Sequence, residues 1–122
     1  MNINSAIIQG AKVLKDRFIK NPYLDSEILM SKAINKDRKY ILLNFKKNLK
    51  TKYLNIFRKL INKRSIGKPI AYLTNKKFFW NSEFIVSDKT LIPRPDSELV
   101  IEKVLHLTAH KKKLNVLEIG IG

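Results

Sequence analysis

The chain has 122 residues, 44% of them apolar, enough for about one domain with a real core. Its 25 Lys and Arg against 10 Asp and Glu give a formal charge of +15, which suits a nucleic acid or RNA-rich partner or reflects compositional bias, since lysine is spread along the whole chain rather than gathered in one stripe. Cysteine is absent, which excludes disulfides, thiolate metal sites and cysteine nucleophiles; no apolar run approaches the roughly 18 residues of a membrane span, and no leader-like block opens the chain, so a soluble cytoplasmic protein is expected.

Residues 3–20 carry Ile3, Ile7, Ile8, Ala11, Leu14 and Phe18 at helical spacing, which predicts one amphipathic helix. Asn21-Pro22 suits an Asn cap with proline at the first helical position, and Leu24, Ile28, Leu29 and Ala33 continue as a second apolar face. Asp37 is placed to cap a short third helix through Leu43. A fourth runs from about Thr51 through Tyr53, Leu54, Ile56, Phe57, Leu60 and Ile61, and Gly67 and Pro69 end it.

After Pro69 the character changes. Phe78-Phe79-Trp80 and Phe84-Ile85-Val86 are β-prone runs separated by Asn81-Ser82-Glu83, which reads as a hairpin of undetermined register. Pro93 and Pro95 forbid regular helix in the next segment, after which Asp96 or Ser97 is placed to cap a helix from Glu98 to about Thr108. Lys111-Lys112-Lys113 is a loop, and Leu114 to Ile119 reads as a short strand of a buried parallel sheet. The fold class expected is a mainly α N-terminal helical domain plus a β-hairpin linker, followed by the first strand of an α/β domain.

Several segments have chemical potential, each with a plainer alternative. Glu118-Ile119-Gly120-Ile121-Gly122 is a two-glycine turn after an apolar strand, which suits either close backbone approach to a cofactor or a purely geometric strand end. In Pro93-Arg94-Pro95-Asp96-Ser97-Glu98 the acids suit a helix N-terminus, while Arg94 is a long cation displayed from a stiff backbone, fit for an anion or for solvent. The cluster Phe78, Phe79, Trp80 beside Lys76 and Lys77 serves a core or a base-stacking platform, with the core favoured. His106 and His110 have i, i+4 spacing but no third ligand. No nucleophile elbow and no phosphate-binding glycine loop with lysine is present, so no residue is assigned a catalytic role and no metal is expected.

Taken together, Gly67-Lys68-Pro69-Ile70-Ala71-Tyr72-Leu73, Phe79-Trp80, Phe84-x-Val86, Leu91-Ile92-Pro93-Arg94-Pro95-Asp96-Ser97-Glu98 and Val116-Leu117-Glu118-Ile119-Gly120-Ile121-Gly122 resemble, in order and spacing, the HemK/PrmC family of protein-(glutamine-N5) methyltransferases that modify peptide chain release factors. The resemblance covers residues 67–122 closely and 1–66 as a compatible pattern of short helices. It implies a helical substrate-docking domain over 1–68, a hairpin linker over 69–92, and from 93 to 122 the start of a Rossmann-like domain binding S-adenosyl-L-methionine. Gly120, Ile121 and Gly122 match the start of the cofactor loop, and Arg94 matches a segment near the active-site mouth. Asn75 stands where relatives often have Gly, and Ser97 where Thr is commoner. The family's Asn-Pro-Pro-Tyr motif and its ribose-binding acid have no counterpart, so this chain by itself is expected to be inactive. Two alternatives remain open: a basic, non-enzymatic RNA- or ribosome-binding module, or the docking domain of a fused tRNA methyltransferase. Oligomeric state is not addressed by these residues.

Overall fold

The computed structural model describes residues 1–121. Helix α1 spans Ile3–Asp16, α2 Pro22–Ile34, α3 Arg38–Leu43, α4 Thr51–Ser65 and α5 Ile70–Thr74; strands β1 (Lys76–Phe79) and β2 (Ser82–Ile85) form an antiparallel hairpin, and α6 covers Asp96–Thr108. The four expected N-terminal helices are present. Helix α5 is not expected from the sequence: five residues are too few to show a period, and Pro69 marks a helix start as readily as a stop.

Helix starts depend on the side chains that satisfy their free N–H groups. Asp37 Oδ1 accepts from Tyr40 N at 2.8 Å, as its position before the apolar run predicts. Asn21 precedes Pro22 as expected but makes no side-chain cap. At α1, Asn2 Oδ1 accepts from Ser5 N at 2.8 Å, while Ile3 N and Asn4 N donate to the carbonyls of Lys47 and Phe45, both at 3.0 Å. The loop between α3 and α4 therefore closes the front of α1.

Three helices end in the same way, on a left-handed residue whose successor donates back across the last turn. The pairs are Ile19 N to Leu14 O (3.1 Å), Lys36 N to Ser31 O (3.1 Å) and Lys68 N to Lys63 O (3.2 Å). The left-handed residues are Phe18, Asn35 and Gly67, with φ of 58°, 53° and 100°. Asn and Gly tolerate that region; Phe does not. The reversal stops α1 at Asp16, turns Ile19 onto the core and leaves Phe18 96% exposed, which overturns its expected place in the apolar face.

The core is built by α1, α2 and α4, closed by α3 and α5: Ile7, Leu14, Leu29, Met30, Ile41, Phe57, Ile61 and Leu73 are all buried. Ile8 and Leu24, placed on apolar faces from their spacing, are exposed. Helix α2 lies at the centre and is buried around more of its circumference than one stripe, so Asp25, Ser26 and Glu27 are buried as well. Each has a partner, as burial requires. Ser26 Oγ donates to Ile7 O (2.8 Å), Asp25 is paired with Arg64 (2.7 Å), and Glu27 with Arg38 (2.7 Å).

Gly10 faces this junction. A Cβ there would lie 2.7 Å from Phe57 Cζ, 2.7 Å from Ser26 Oγ and 2.9 Å from Ile61 Cδ1, so α1 meets α2 and α4 at a spacing only glycine permits. Among the described residues no helix is long and apolar enough to cross a membrane.

Two substitutions should act with opposite sign. Gly10→Ala is expected to destabilise the chain by about 1–3 kcal/mol through overpacking. Phe18→Gly is expected to stabilise it by about 1 kcal/mol by removing left-handed strain. Thermal denaturation monitored by circular dichroism at 222 nm reads both; a higher melting temperature for Gly10→Ala would contradict the helix junction described.

Candidate functional site: the hairpin and the open apolar segment after it

The segment after the helical core is held to it at defined points. Arg64 Nε bonds Asp25 Oδ2 at 2.7 Å while its Nη1 donates to Lys68 O at 3.2 Å, so the exit from α4 is fixed to α2. After α5, Asn75 takes a left-handed backbone (φ 61°), the conformation for which Asn is the best substitute for Gly. Its carbonyl accepts from Val86 N at 3.1 Å, and Val86 is buried. Tyr72 Oη donates to Thr90 O at 2.8 Å. Both ends of the hairpin are thereby tied to α5.

The hairpin register pairs Lys76 with Ile85, Lys77 with Phe84, Phe78 with Glu83 and Phe79 with Ser82. The connector is Trp80-Asn81, not the expected Asn81-Ser82-Glu83. Both residues have positive φ (48° and 59°), the two-residue turn whose twist matches the strands it joins. Phe79 and Phe84 meet edge to face with centroids 6.3 Å apart, and Lys76 lies 3.8 Å from Glu83 in an exposed pair that contributes little. None of the aromatic cluster is buried as expected: Phe78 is 68% exposed, and Phe79 and Trp80 are half-buried. A left-handed tryptophan is costly. Its backbone N–H donates to Glu98 Oε1 at 3.0 Å, which fastens the turn to the first turn of α6.

The Pro93–Glu98 segment turns into α6 with Pro95 as its cap residue; neither Asp96 nor Ser97 caps it through a side chain. Ser97 N donates to Arg94 O (3.1 Å) and Glu98 N to Pro95 O (3.0 Å), so backbone carbonyls take the first N–H groups and leave Glu98 for Trp80. Asp96 and Glu98 still favour the positive helix end. Arg94 is exposed and makes no ion pair among the described residues. His106 lies in the last turn of α6, whereas His110 lies beyond its end, so the two do not share a helix face.

From here the chain is apolar and uncovered. Helix α6 has no buried residue; Leu99, Val100 and Leu107 are 64–66% exposed. The strand expected over Leu114–Ile119 does not form: residues 112–121 have no regular secondary structure, because a parallel strand needs a neighbour on its hydrogen-bonding edges and these residues offer none. Of the expected cofactor residues, Gly120 has φ 81° with nothing within 4 Å of a hypothetical Cβ, Ile121 is 76% exposed, and Gly122 lies outside the described residues. Arg94 and Gly120 stand on separate segments with no hydrogen bond between them. The tethering role of Glu98 has only one trace in the sequence, its place three residues after Pro95.

Residues 5–74 match the model of the PrmC N-terminal domain family. The whole chain is 38% identical over 122 residues to the release factor glutamine methyltransferase of Buchnera aphidicola subsp. Schizaphis graminum, covering 100% of this chain and 43% of that protein. It is 35% identical over 115 residues to the release factor glutamine methyltransferase of Shewanella oneidensis, covering 94% and 40%. A bifunctional methyltransferase of Rickettsia bellii is 38% identical over 147 residues, covering 99% of this chain and 26% of that protein. The chain thus spans about two-fifths of the length of the release factor glutamine methyltransferases it matches.

Glu98→Ala should free the Trp80 turn without touching the helical core. The expected outcome is a red-shifted emission of the single tryptophan and faster proteolysis in the hairpin at an unchanged main melting temperature; unchanged emission would remove the tether from the account.

Proposed function

The chain belongs to the PrmC N-terminal domain family, and from that premise we propose that it is the substrate-docking and linker part of a cytoplasmic protein-(glutamine-N5) methyltransferase. The substrates are peptide chain release factors and the methyl donor is S-adenosyl-L-methionine. The observation that carries the reading is chain-long identity to release factor glutamine methyltransferases, 38% over 122 residues in one of them. In this reading residues 1–68 dock the release factor, 69–92 link, and 93–122 begin the methyltransferase domain.

The uncovered apolar surface supports that division. Helix α6, the hairpin and residues 114–121 carry side chains that a folded domain places inside. The remainder of an α/β domain would bury them and supply the strands that Leu114–Ile119 lacks.

Gly120, Ile121 and Gly122 are the residues proposed at the cofactor. The positive φ and open surroundings of Gly120 fit a loop whose backbone approaches a ligand closely. The bound donor supplies an electrophilic methyl on a sulfonium. In the complete protein catalysis rests on orientation, because a side-chain amide nitrogen is a weak nucleophile and gains most from being held in line with the methyl; residues 1–122 contribute docking and the start of the cofactor loop. Arg94, displayed between two prolines, is proposed as a substrate-proximal cation that guides an anionic or carbonyl group at the site mouth. The linker sets the distance between docking and transfer, with Glu98 and Tyr72 as its fastenings.

A second reading enlarges the polypeptide. The 38% identity to a bifunctional methyltransferase supports a longer chain with a second methyltransferase domain. It leaves the role proposed for residues 1–122 unchanged.

The test uses the polypeptide extended beyond Gly122 by its natural reading frame, with a release factor and methyl-labelled S-adenosylmethionine. Label is expected on a glutamine side-chain nitrogen of the release factor. Arg94→Ala should slow transfer about tenfold with release factor affinity within twofold, and residues 1–122 alone should bind the release factor without transferring label. Label on tRNA only, or none with a cofactor-loaded enzyme, would overturn the reading.

A further inference from the structure

The middle of the chain has an uneven charge arrangement. Between Asp37 and Glu83 the chain contains no carboxylate but 13 lysines and arginines. Lysine is dispersed, as the sequence suggests; it is the acids that are segregated. Arg38 and Arg64 are neutralised by Glu27 and Asp25 of α2, and Lys76 is near Glu83. The remaining cations of this run make no ion pair among the described residues.

Bordering this run is a cavity of about 230 Å³ with an apolar floor, ringed by Lys36 just before it and by Lys47, Lys50, Asn48, Tyr40 and Tyr53 within it. Lys36 Nζ and Lys47 Nζ lie 5.7 and 5.6 Å from the centroid of the same Tyr40 ring, and Lys47 Nζ also donates to Tyr40 Oη at 2.9 Å. Each ammonium is attracted by the ring, but the two repel each other. The adjacent carboxylate, Asp37, accepts from Tyr40 N and makes no ion pair with either lysine. The backbone that carries Lys47 and Lys50 is fixed by Ile3 N to Lys47 O (3.0 Å) and Leu49 N to Met1 O (2.9 Å), so these cations project from a rigid frame rather than a loose loop.

We propose that this pocket binds a single-stranded polynucleotide, with Lys36, Lys47 and Lys50 on its phosphates and Tyr53 beside an unstacked base. Two exposed ammonium groups at one tyrosine ring, with no ion pair among the described residues, suit an anion, and the tyrosines and apolar floor suit a flat, partly apolar one. An isolated phosphate would leave the aromatic wall unused. The basic surface continues along α4 through Lys52, Lys59 and Lys63, which suits a ligand with repeated charges. The proposal rests on charge and geometry and stands apart from the methyltransferase reading.

Fluorescence anisotropy of this chain with labelled oligouridylate and with oligothymidylate of equal length, each about a dozen nucleotides, tests it across a salt series. Micromolar binding is expected, with a log affinity against log salt slope near −2, as about three phosphate contacts to a single strand require. Lys36→Gln with Lys47→Gln and Lys50→Gln should weaken binding at least tenfold and flatten the slope. Tyr53→Leu should weaken it about fivefold or more at an unchanged slope. Lys59→Gln with Lys63→Gln should cost less than threefold. All variants are checked for native melting temperature, and Lys47→Arg should restore binding if a fold defect is suspected. Equal binding of the two strands identifies the phosphate-and-base chemistry alone, and preference for oligouridylate identifies RNA; either upholds the site. Absence of binding at low salt, equal losses from the α4 pair and the pocket triple, or competition by polyglutamate as strong as by the oligonucleotide would overturn it.

Discussion

The close approach of α1 to α2 and α4 at Gly10 is the constraint on which the helical domain turns. With a side chain there, the ends of Phe57, Ser26 and Ile61 would all have to move from their packed positions. That spacing lets Ser26 reach the carbonyl of Ile7 across the helix pair. The buried Asp25 and Glu27 are answered by two arginines, one from α4 and one from α3.

Those two arginines have unequal further effects. Arg38 belongs to α3 and remains half outside. Arg64 ends α4 and holds the carbonyl of Lys68 as well as Asp25, so the same guanidinium neutralises a buried charge and sets the direction in which the chain leaves the domain. A side chain with planar, multiple donors does both; a lysine would supply the charge without the second fixed bond. The interior of α2 and the path of the chain beyond α4 are therefore one structural problem with one solution.

How far the sequence carries the structure depends on the kind of signal. Periodicity locates α1 to α4 and α6, although the side-chain caps expected for α2 and α6 do not form, and Asp37, Gly67 and Asn75 take the local roles their chemistry suggests. Failures cluster where a tertiary contact outweighs local preference. Phe18 lies left-handed and exposed because Ile19 serves the core better one residue later. Trp80 enters a turn that favours Asn or Gly, held there by Glu98 from a distant helix. Nothing in the spacing of the acids at 25 and 27 reveals their burial or the arginines 39 and 11 residues away. The proposed cofactor residues are legible only through family likeness, since a two-glycine turn has too little content of its own.

The order of the core along the chain carries a consequence for how the molecule is made. The last member of the continuous apolar cluster is Leu73, and every contact that closes α1, α2 and α4 is available once that residue has emerged from the ribosome. Synthesis runs slower than the collapse of short helices. The helical unit can therefore be finished while the hairpin, α6 and the exposed segment beyond them are still arriving. Those late, sticky residues then meet a completed surface of net positive charge instead of an open core, and charge repulsion between nascent chains is in place before their apolar side chains are.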